Sequence, residues 1–174
     1  MRDTAHGGSP RPPLWAVLGT IVFTALVPGT VVGLGPFLLS GWRMAPPFLG
    51  WAGVRWAGGV LLVVAGIGFV DFLVRFPRDG HGTPAPVAPT AHLVVTGPYR
   101  WLRNPGYVWV LGLIVGQALV LGNEAVLRYA GVVAIGFHVF VVLYEEPTLR
   151  RQFGAEYEEY CRRVPRWVPR RPTS

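Results

Sequence analysis

Four apolar stretches, residues 14–34, 49–73, 105–121 and 125–144, run through this chain at close to bilayer length, a crossing that takes about 20 residues at 1.5 Å rise each. Lipid offers no partner to backbone N–H and C=O groups, so such stretches must close their hydrogen bonds internally, as helices. The expected fold class is therefore all-α, a polytopic membrane protein of about four transmembrane helices. Composition excludes a soluble enzyme: 51% of the residues are hydrophobic and 14% charged, against about 25% charged in soluble domains. The first stretch exceeds the roughly 7–15 residues of a signal-peptide core and lacks a clear cleavage site, so it is expected to stay in the mature protein.

All 16 basic residues are arginine, and the net charge is +7. Their distribution follows topology rather than a nucleic-acid face. Thirteen of them, Arg2, Arg11, Arg75, Arg78, Arg100, Arg103 and the seven from Arg150 to Arg171, fall on one side of a four-helix arrangement, against Arg43, Arg55 and Arg128 on the other. The positive-inside tendency then places both termini and the central loop in the cytoplasm, and no nucleic acid is expected as a partner. Arginine-only basicity with abundant Ala, Gly and Pro resembles high-GC bacterial usage, which suggests a bacterial inner membrane. Cys161 has no cysteine partner, and His6, His81, His92 and His138 are scattered, so no metal site is expected.

Residues 1–13 show no apolar periodicity and are expected to form a mobile cytoplasmic arm, with residues 14–174 a single membrane-embedded domain. Pro28 should kink the first helix. Gly29 with Gly33, and Gly112 with Gly116, have the spacing that lets helices approach closely in lipid. Gly66-Ile67-Gly68 lies mid-helix with no strand before it, so it belongs to helix packing rather than to a dinucleotide loop. The Gly- and Pro-rich loop 75–96 is either a lid or a plain linker. Pro147 should end or kink the fourth helix just after Glu145 and Glu146. Beyond it, Leu149, Phe153, Tyr157, Tyr160 and Val164 recur at helical spacing, which predicts an amphipathic cytoplasmic helix lying on the membrane or capping the bundle.

Chemistry concentrates at the cytoplasmic rim. Asn104-Pro105 is a helix start, with a capping side chain followed by proline at the first helical position. Arg100, Arg103 and Tyr107 should come toward one side of that start. An antiparallel hairpin returns Glu145 and Glu146 to the level of Arg103, and two adjacent carboxylates need a cation between or beside them. Arginine alone, in a structural ion-pair cluster, is one answer; a cationic ligand is the other. His138, seven residues before Glu145, should share its helical face about 10 Å deeper, either lining a pocket or bonding a neighbouring helix. Gln117 is assigned to packing.

The segment Leu93-Val-Val-Thr-Gly-Pro-Tyr-Arg-Trp-Leu-Arg-Asn-Pro-Gly-Tyr107, then Tyr144-Glu-Glu-Pro-Thr-Leu-Arg-Arg-Gln-Phe-Gly-Ala-Glu-Tyr157 and Val164-Pro-Arg166, resembles the isoprenylcysteine carboxyl methyltransferase and phospholipid methyltransferase superfamily. The resemblance covers roughly the last eighty residues, a catalytic region of about 92–166. It implies an integral-membrane methyltransferase using S-adenosylmethionine on a lipophilic acceptor, carboxylate or amine. It also implies a cofactor site at Arg103, Asn104, Pro105, Tyr107, Glu145 and Glu146, shaped by Gly97, Pro98 and Tyr99, with His138 a candidate wall. Arg100 and Arg103 are the candidates for holding a carboxylate acceptor, and Glu145, Glu146 or solvent for taking the proton of an amine. Asn104 stands where the family motif usually has histidine, and asparagine cannot titrate near neutrality. Two other readings stay open: a sterol-reductase-like enzyme using NADPH, and a non-catalytic scaffold whose rim charges only pair with one another.

Overall fold

The structure, a computed structural model, describes residues 18, 22, 26–80, 93 and 95–170, with residues 75–80 as backbone alone. The expected arm, the beginning of the first apolar stretch and most of the central loop lie outside the described residues. Among those described there are helices and turns and no strand. Four apolar helices build the body: α1 (Leu26–Ser40), α2 (Gly53–Gly80), α3 (Pro105–Leu121) and α4 (Glu124–Phe153); α5 (Ala155–Arg163) follows α4. The α2 segment Gly53–Val74 and the whole of α4 are long and apolar enough to cross a membrane, whereas α1 and α3 are shorter apolar helices.

The α2–α3 contact is made backbone to backbone. A Cβ on Gly58 would stand 2.7 Å from the Leu119 Cβ and 2.9 Å from the Val120 nitrogen, and one on Gly116 would stand 2.8 Å from the Leu62 Cγ. Without a hydrophobic drive between helices in lipid, such close approach supplies the dispersion contact that holds them. Gly112 meets Ala65 and Gly68 meets Trp109 in the same way, whereas a Cβ on Gly33 would meet nothing within 4 Å. The core, Val110, Ile114, Ala118, Val126 and Ala130, lies between α3 and α4. Gly122, at φ 68°, ends α3 in the left-handed conformation, and the Asn123 side chain caps α4 by accepting from the Val126 N–H at 3.1 Å. Trp56, Val60, Ile67, Val132 and Ile135 face outward, each more than 60% exposed, as lipid contact requires and water would not tolerate on this scale.

Two prolines set the helix geometry around the site. Instead of ending α1 near residue 34, Pro36 is absorbed by a π-helical stretch, Gly29–Leu34, after which the helix continues to Ser40. Proline has no N–H to give. The carbonyls of Val31 and Val32 accept from Tyr129 Oη at 3.1 Å and Gln117 Nε2 at 2.9 Å, tying α1 to α4 and α3. In α4, Pro147 does not stop the helix, which continues to Phe153. A second π-helical stretch, Val141–Glu145, precedes it, with the Glu146 N–H donating to the Val141 carbonyl. That widened turn takes in one extra residue.

Candidate functional site

The extra residue decides which side chains face inward. In a regular helix, residues seven apart share a face to within about 20°; across a π turn the matching separation becomes eight. Phe137, eight before Glu145, therefore lines the same cavity as Glu145, and His138 does not. His138 is exposed, and its Nδ1 accepts from Trp167 Nε1 at 3.1 Å. The face sharing expected from the seven-residue spacing is thus corrected by the π turn.

The cavity, of ≈ 120 Å³, has apolar walls from α1 (Val27, Val31), α2 (Phe69, Phe72) and α4 (Phe137), and a polar end formed by Tyr99, Arg103, Asn104, Tyr107 and Glu145. Tyr99 and Arg103 arrive from the segment before α3, which turns through a short 3-10 helix, Gly97–Arg100. Gly97 supplies the positive φ of 56° that starts this turn, and Pro98 follows it, so both shape the approach without lining the cavity. Pro105 is buried at the first position of α3. Asn104 is buried too, but it does not cap α3: its Nδ2 donates to the Arg166 carbonyl at 3.2 Å. Its backbone carbonyl still accepts from the Val108 N–H, so the helix start costs nothing beyond the unused cap. Arg100 points away from the cavity, is exposed, and lines a separate groove of ≈ 420 Å³ with Leu93, Val95 and Tyr160.

The acidic doublet splits its duties. Glu146, 2% exposed, turns away from the cavity into an arginine cluster: Arg166 Nε and Nη2 donate to its two oxygens at 2.6 and 3.0 Å, Arg103 Nη1 lies at 3.1 Å and Arg150 Nη2 at 3.5 Å. Glu145 faces the cavity, where the Tyr107 hydroxyl donates to it at 2.7 Å, and no arginine among the described residues pairs with it. Arg103 is shared. One nitrogen reaches Glu146 and also donates to Cys161 Sγ at 2.7 Å, while its Nε is buried and has no partner. Tyr99 sits beneath this end, and burial, then the nearby Glu145, holds its phenol well above the usual tyrosine range, so it stays neutral.

The site's outer wall comes from the chain after α5. The Arg103 N–H donates to the Pro165 carbonyl at 2.9 Å, and the Arg170 N–H to the Trp101 carbonyl at 3.2 Å. Tyr160 donates to the Tyr99 carbonyl at 2.8 Å, and Trp167 stands edge-on to Tyr107 at 6.3 Å between ring centres. The apolar series expected on one amphipathic helix is divided by Gly154 at φ 51°, yet Leu149, Phe153, Tyr157, Tyr160 and Val164 pack together with Leu93 and Cys161. Arg166, Trp167 and Cys161 were missed as site residues. Val164-Pro-Arg166 was visible as part of a motif, but nothing in its spacing said which carboxylate it would meet.

Among the described residues the chain is helical with an apolar exterior, and at one end of its bundle it carries a chamber that is apolar along its length and charged at its tip. The sequence comparisons specify the family. Residues 54–156 match the family described as phospholipid methyltransferase, and the chain belongs to that family. It is 32% identical over 108 residues to protein-S-isoprenylcysteine O-methyltransferase B of Arabidopsis thaliana, covering 62% of this chain and 50% of that protein. It is 38% identical over 77 residues to a probable protein-S-isoprenylcysteine O-methyltransferase of Oryza sativa subsp. indica, covering 44% and 40%. With the Schizosaccharomyces pombe protein-S-isoprenylcysteine O-methyltransferase it shares 34% over 79 residues, covering 45% and 34%. The chain thus spans half or less of the length of these relatives.

Proposed function

We propose that this chain is an integral-membrane methyltransferase that binds S-adenosylmethionine at the polar end of the cavity and methylates a lipophilic acceptor. The observation that carries the reading is a pair of incompletely partnered residues lining one cavity: Glu145, which has a hydrogen bond from Tyr107 but no counter-ion among the described residues, and Arg103, whose buried Nε has no acceptor. Buried groups of this kind cost stability unless something completes them. The cofactor combines sulfonium and ammonium cations with a carboxylate and ribose hydroxyls, and the residues present fit it: Glu145 for a cation, Arg103 for the carboxylate, Tyr99, Tyr107 and Asn104 for hydroxyl contacts. A purely structural ion-pair cluster would leave neither group over.

When bound, the cofactor supplies a methyl group on a leaving group that is already activated, so no nucleophilic side chain is needed. The protein's part is alignment and exclusion of water. Phe69, Phe72 and Phe137 keep water from the reacting atoms, and Tyr107 fixes the orientation of Glu145. With Glu145 and Arg103 engaged by the cofactor, an amine acceptor would give its proton to solvent, and a carboxylate acceptor would have none to lose. The four apolar helices are read as four membrane spans, with the arginine-rich ends, and so the site, on the cytoplasmic side of a bacterial inner membrane.

The test is isothermal titration of the protein in lipid nanodiscs with S-adenosylhomocysteine and, separately, with NADPH, followed by incubation with methyl-labelled S-adenosylmethionine and a lipid extract. Micromolar binding of the first ligand only, with label entering a lipid-soluble compound, supports the reading. NADPH binding favours the sterol-reductase alternative. Binding of neither returns the cluster to a structural role.

A further inference from the structure

Arg166 lies ten residues beyond the matched family region, yet it makes the best-formed ion pair in the site. Its fork occupies both oxygens of Glu146, at 2.6 and 3.0 Å, whereas Arg103 reaches only one of them, at 3.1 Å. Three guanidinium groups therefore surround one buried carboxylate, Arg150 being the most distant at 3.5 Å, and Arg166 holds the bidentate position that planar geometry favours. Its place is fixed from behind. The Asn104 side chain bonds the Arg166 carbonyl, and the Pro165 carbonyl accepts from the Arg103 N–H. The Glu146 bonds also hold the Arg166 guanidinium above its ordinary pKa, so it carries its charge throughout the working range.

The consequence concerns Arg103. With Arg166 in place, Arg103 cannot chelate Glu146; it is turned so that one nitrogen is shared between Glu146 and Cys161 while its buried Nε stays unpaired and the side chain lines the cavity. Remove the Arg166 fork and Glu146 keeps only Arg103 and the more distant Arg150, which is engaged by Glu158, so Arg103 would close on the carboxylate and spend its donors there instead of on a ligand. We infer that Arg166 is a positioning residue: by saturating Glu146 it keeps Arg103 free to bind the ligand in the cavity. This rests on the proposed cofactor site, whose own failure is seen in the wild-type protein.

The experiment compares wild type, Arg166→Gln, Arg166→Lys and the surface control Arg162→Gln, all full length in nanodiscs of phosphatidylcholine and phosphatidylglycerol. Each is titrated with S-adenosylhomocysteine well below its own thermal midpoint, which is measured separately. Residues that orient a ligand-binding group typically change affinity by about 10-fold or more when removed. Arg166→Gln is expected to weaken binding by about that factor in the folded protein, Arg166→Lys to recover part of it, and Arg162→Gln to bind as wild type. A purely structural role would lower the midpoint of Arg166→Gln and leave the affinity of the folded protein unchanged, and that result overturns the inference. If Arg166→Gln does not fold, Arg166→Lys decides: lysine cannot fork, so weaker binding at a wild-type midpoint supports the assignment and unchanged binding overturns it. If wild type itself binds nothing, the cofactor reading has failed instead.

Discussion

Neutralising the two neighbouring carboxylates one at a time should give opposite phenotypes. In Glu145→Gln the amide keeps an oxygen for the Tyr107 hydroxyl and loses only the charge facing the cavity. A hydrogen bond to a charged group contributes about 1.5–3 kcal/mol against about 1 for a neutral one. A cationic ligand should therefore bind about 1–2 kcal/mol more weakly, roughly a 5- to 30-fold rise in Kd. Folding should not suffer, because Glu145 has no paired cation to lose and the amide is less costly to desolvate. Glu146→Gln does the reverse. It leaves Arg103, Arg150 and Arg166 around a neutral group, and breaking a buried ion pair costs about 3–5 kcal/mol. The Arg150 and Arg166 side chains are 43% and 32% exposed, so water relieves part of this and about 3 kcal/mol is the appropriate figure. At about 2–4 °C per kcal/mol for a protein of this size, Tm should fall by roughly 6–12 °C. Differential scanning fluorimetry and titration with S-adenosylmethionine, which carries the sulfonium, read the two effects separately. If Glu146→Gln melts as wild type while Glu145→Gln binds as wild type, the division of labour is refuted.

Three further outcomes are expected. Tyr107→Phe removes the sole hydrogen bond described to the Glu145 carboxylate, and should weaken S-adenosylmethionine binding by about 1–3 kcal/mol in the same titration. Gly116→Ala places a Cβ 2.8 Å from the Leu62 Cγ and 3.1 Å from the Gly58 carbonyl, so α2 must move away, at about 1–3 kcal/mol of stability read from the thermal midpoint. Pro147→Ala restores an N–H and lets α4 rewind to a regular helix, turning Glu145 off the cavity; ligand affinity should drop with no loss of Tm, and unchanged affinity would show that proline does not set the turn.

The hairpin was legible because its signals are local: apolar runs of spanning length, Asn104-Pro105 opening α3, and carboxylates at the level of Arg103, where Glu146 indeed lies 3.1 Å away. The π turns were not. Proline announces a disturbed helix, but whether the chain kinks, stops or takes in one more residue depends on tertiary partners such as Tyr129 and Gln117, which occupy the exposed carbonyls near Pro36. The error over His138 follows from that, since a spacing of seven has meaning only in an unbroken 3.6-residue helix. Asn104 was misread for a related reason: a cap needs the side-chain oxygen turned to its own helix, whereas this side chain is oriented by its Nδ2 donating to the Arg166 carbonyl, sixty-two residues away in sequence.

The far loop fixes a depth. Trp51 and Trp56, 67% and 80% exposed at the start of α2, are side chains that settle where headgroups meet hydrocarbon. Phe72, on the cavity wall, is sixteen residues further along the same helix, about 24 Å away at 1.5 Å per residue, within a hydrocarbon slab about 30 Å thick. In the proposed four-span arrangement, measured from that aromatic anchor, the chamber would open a few ångströms inside the opposite leaflet's glycerol level. The proposed lipophilic acceptor would then present its head to Glu145 without being hoisted into water or dragged toward the midplane.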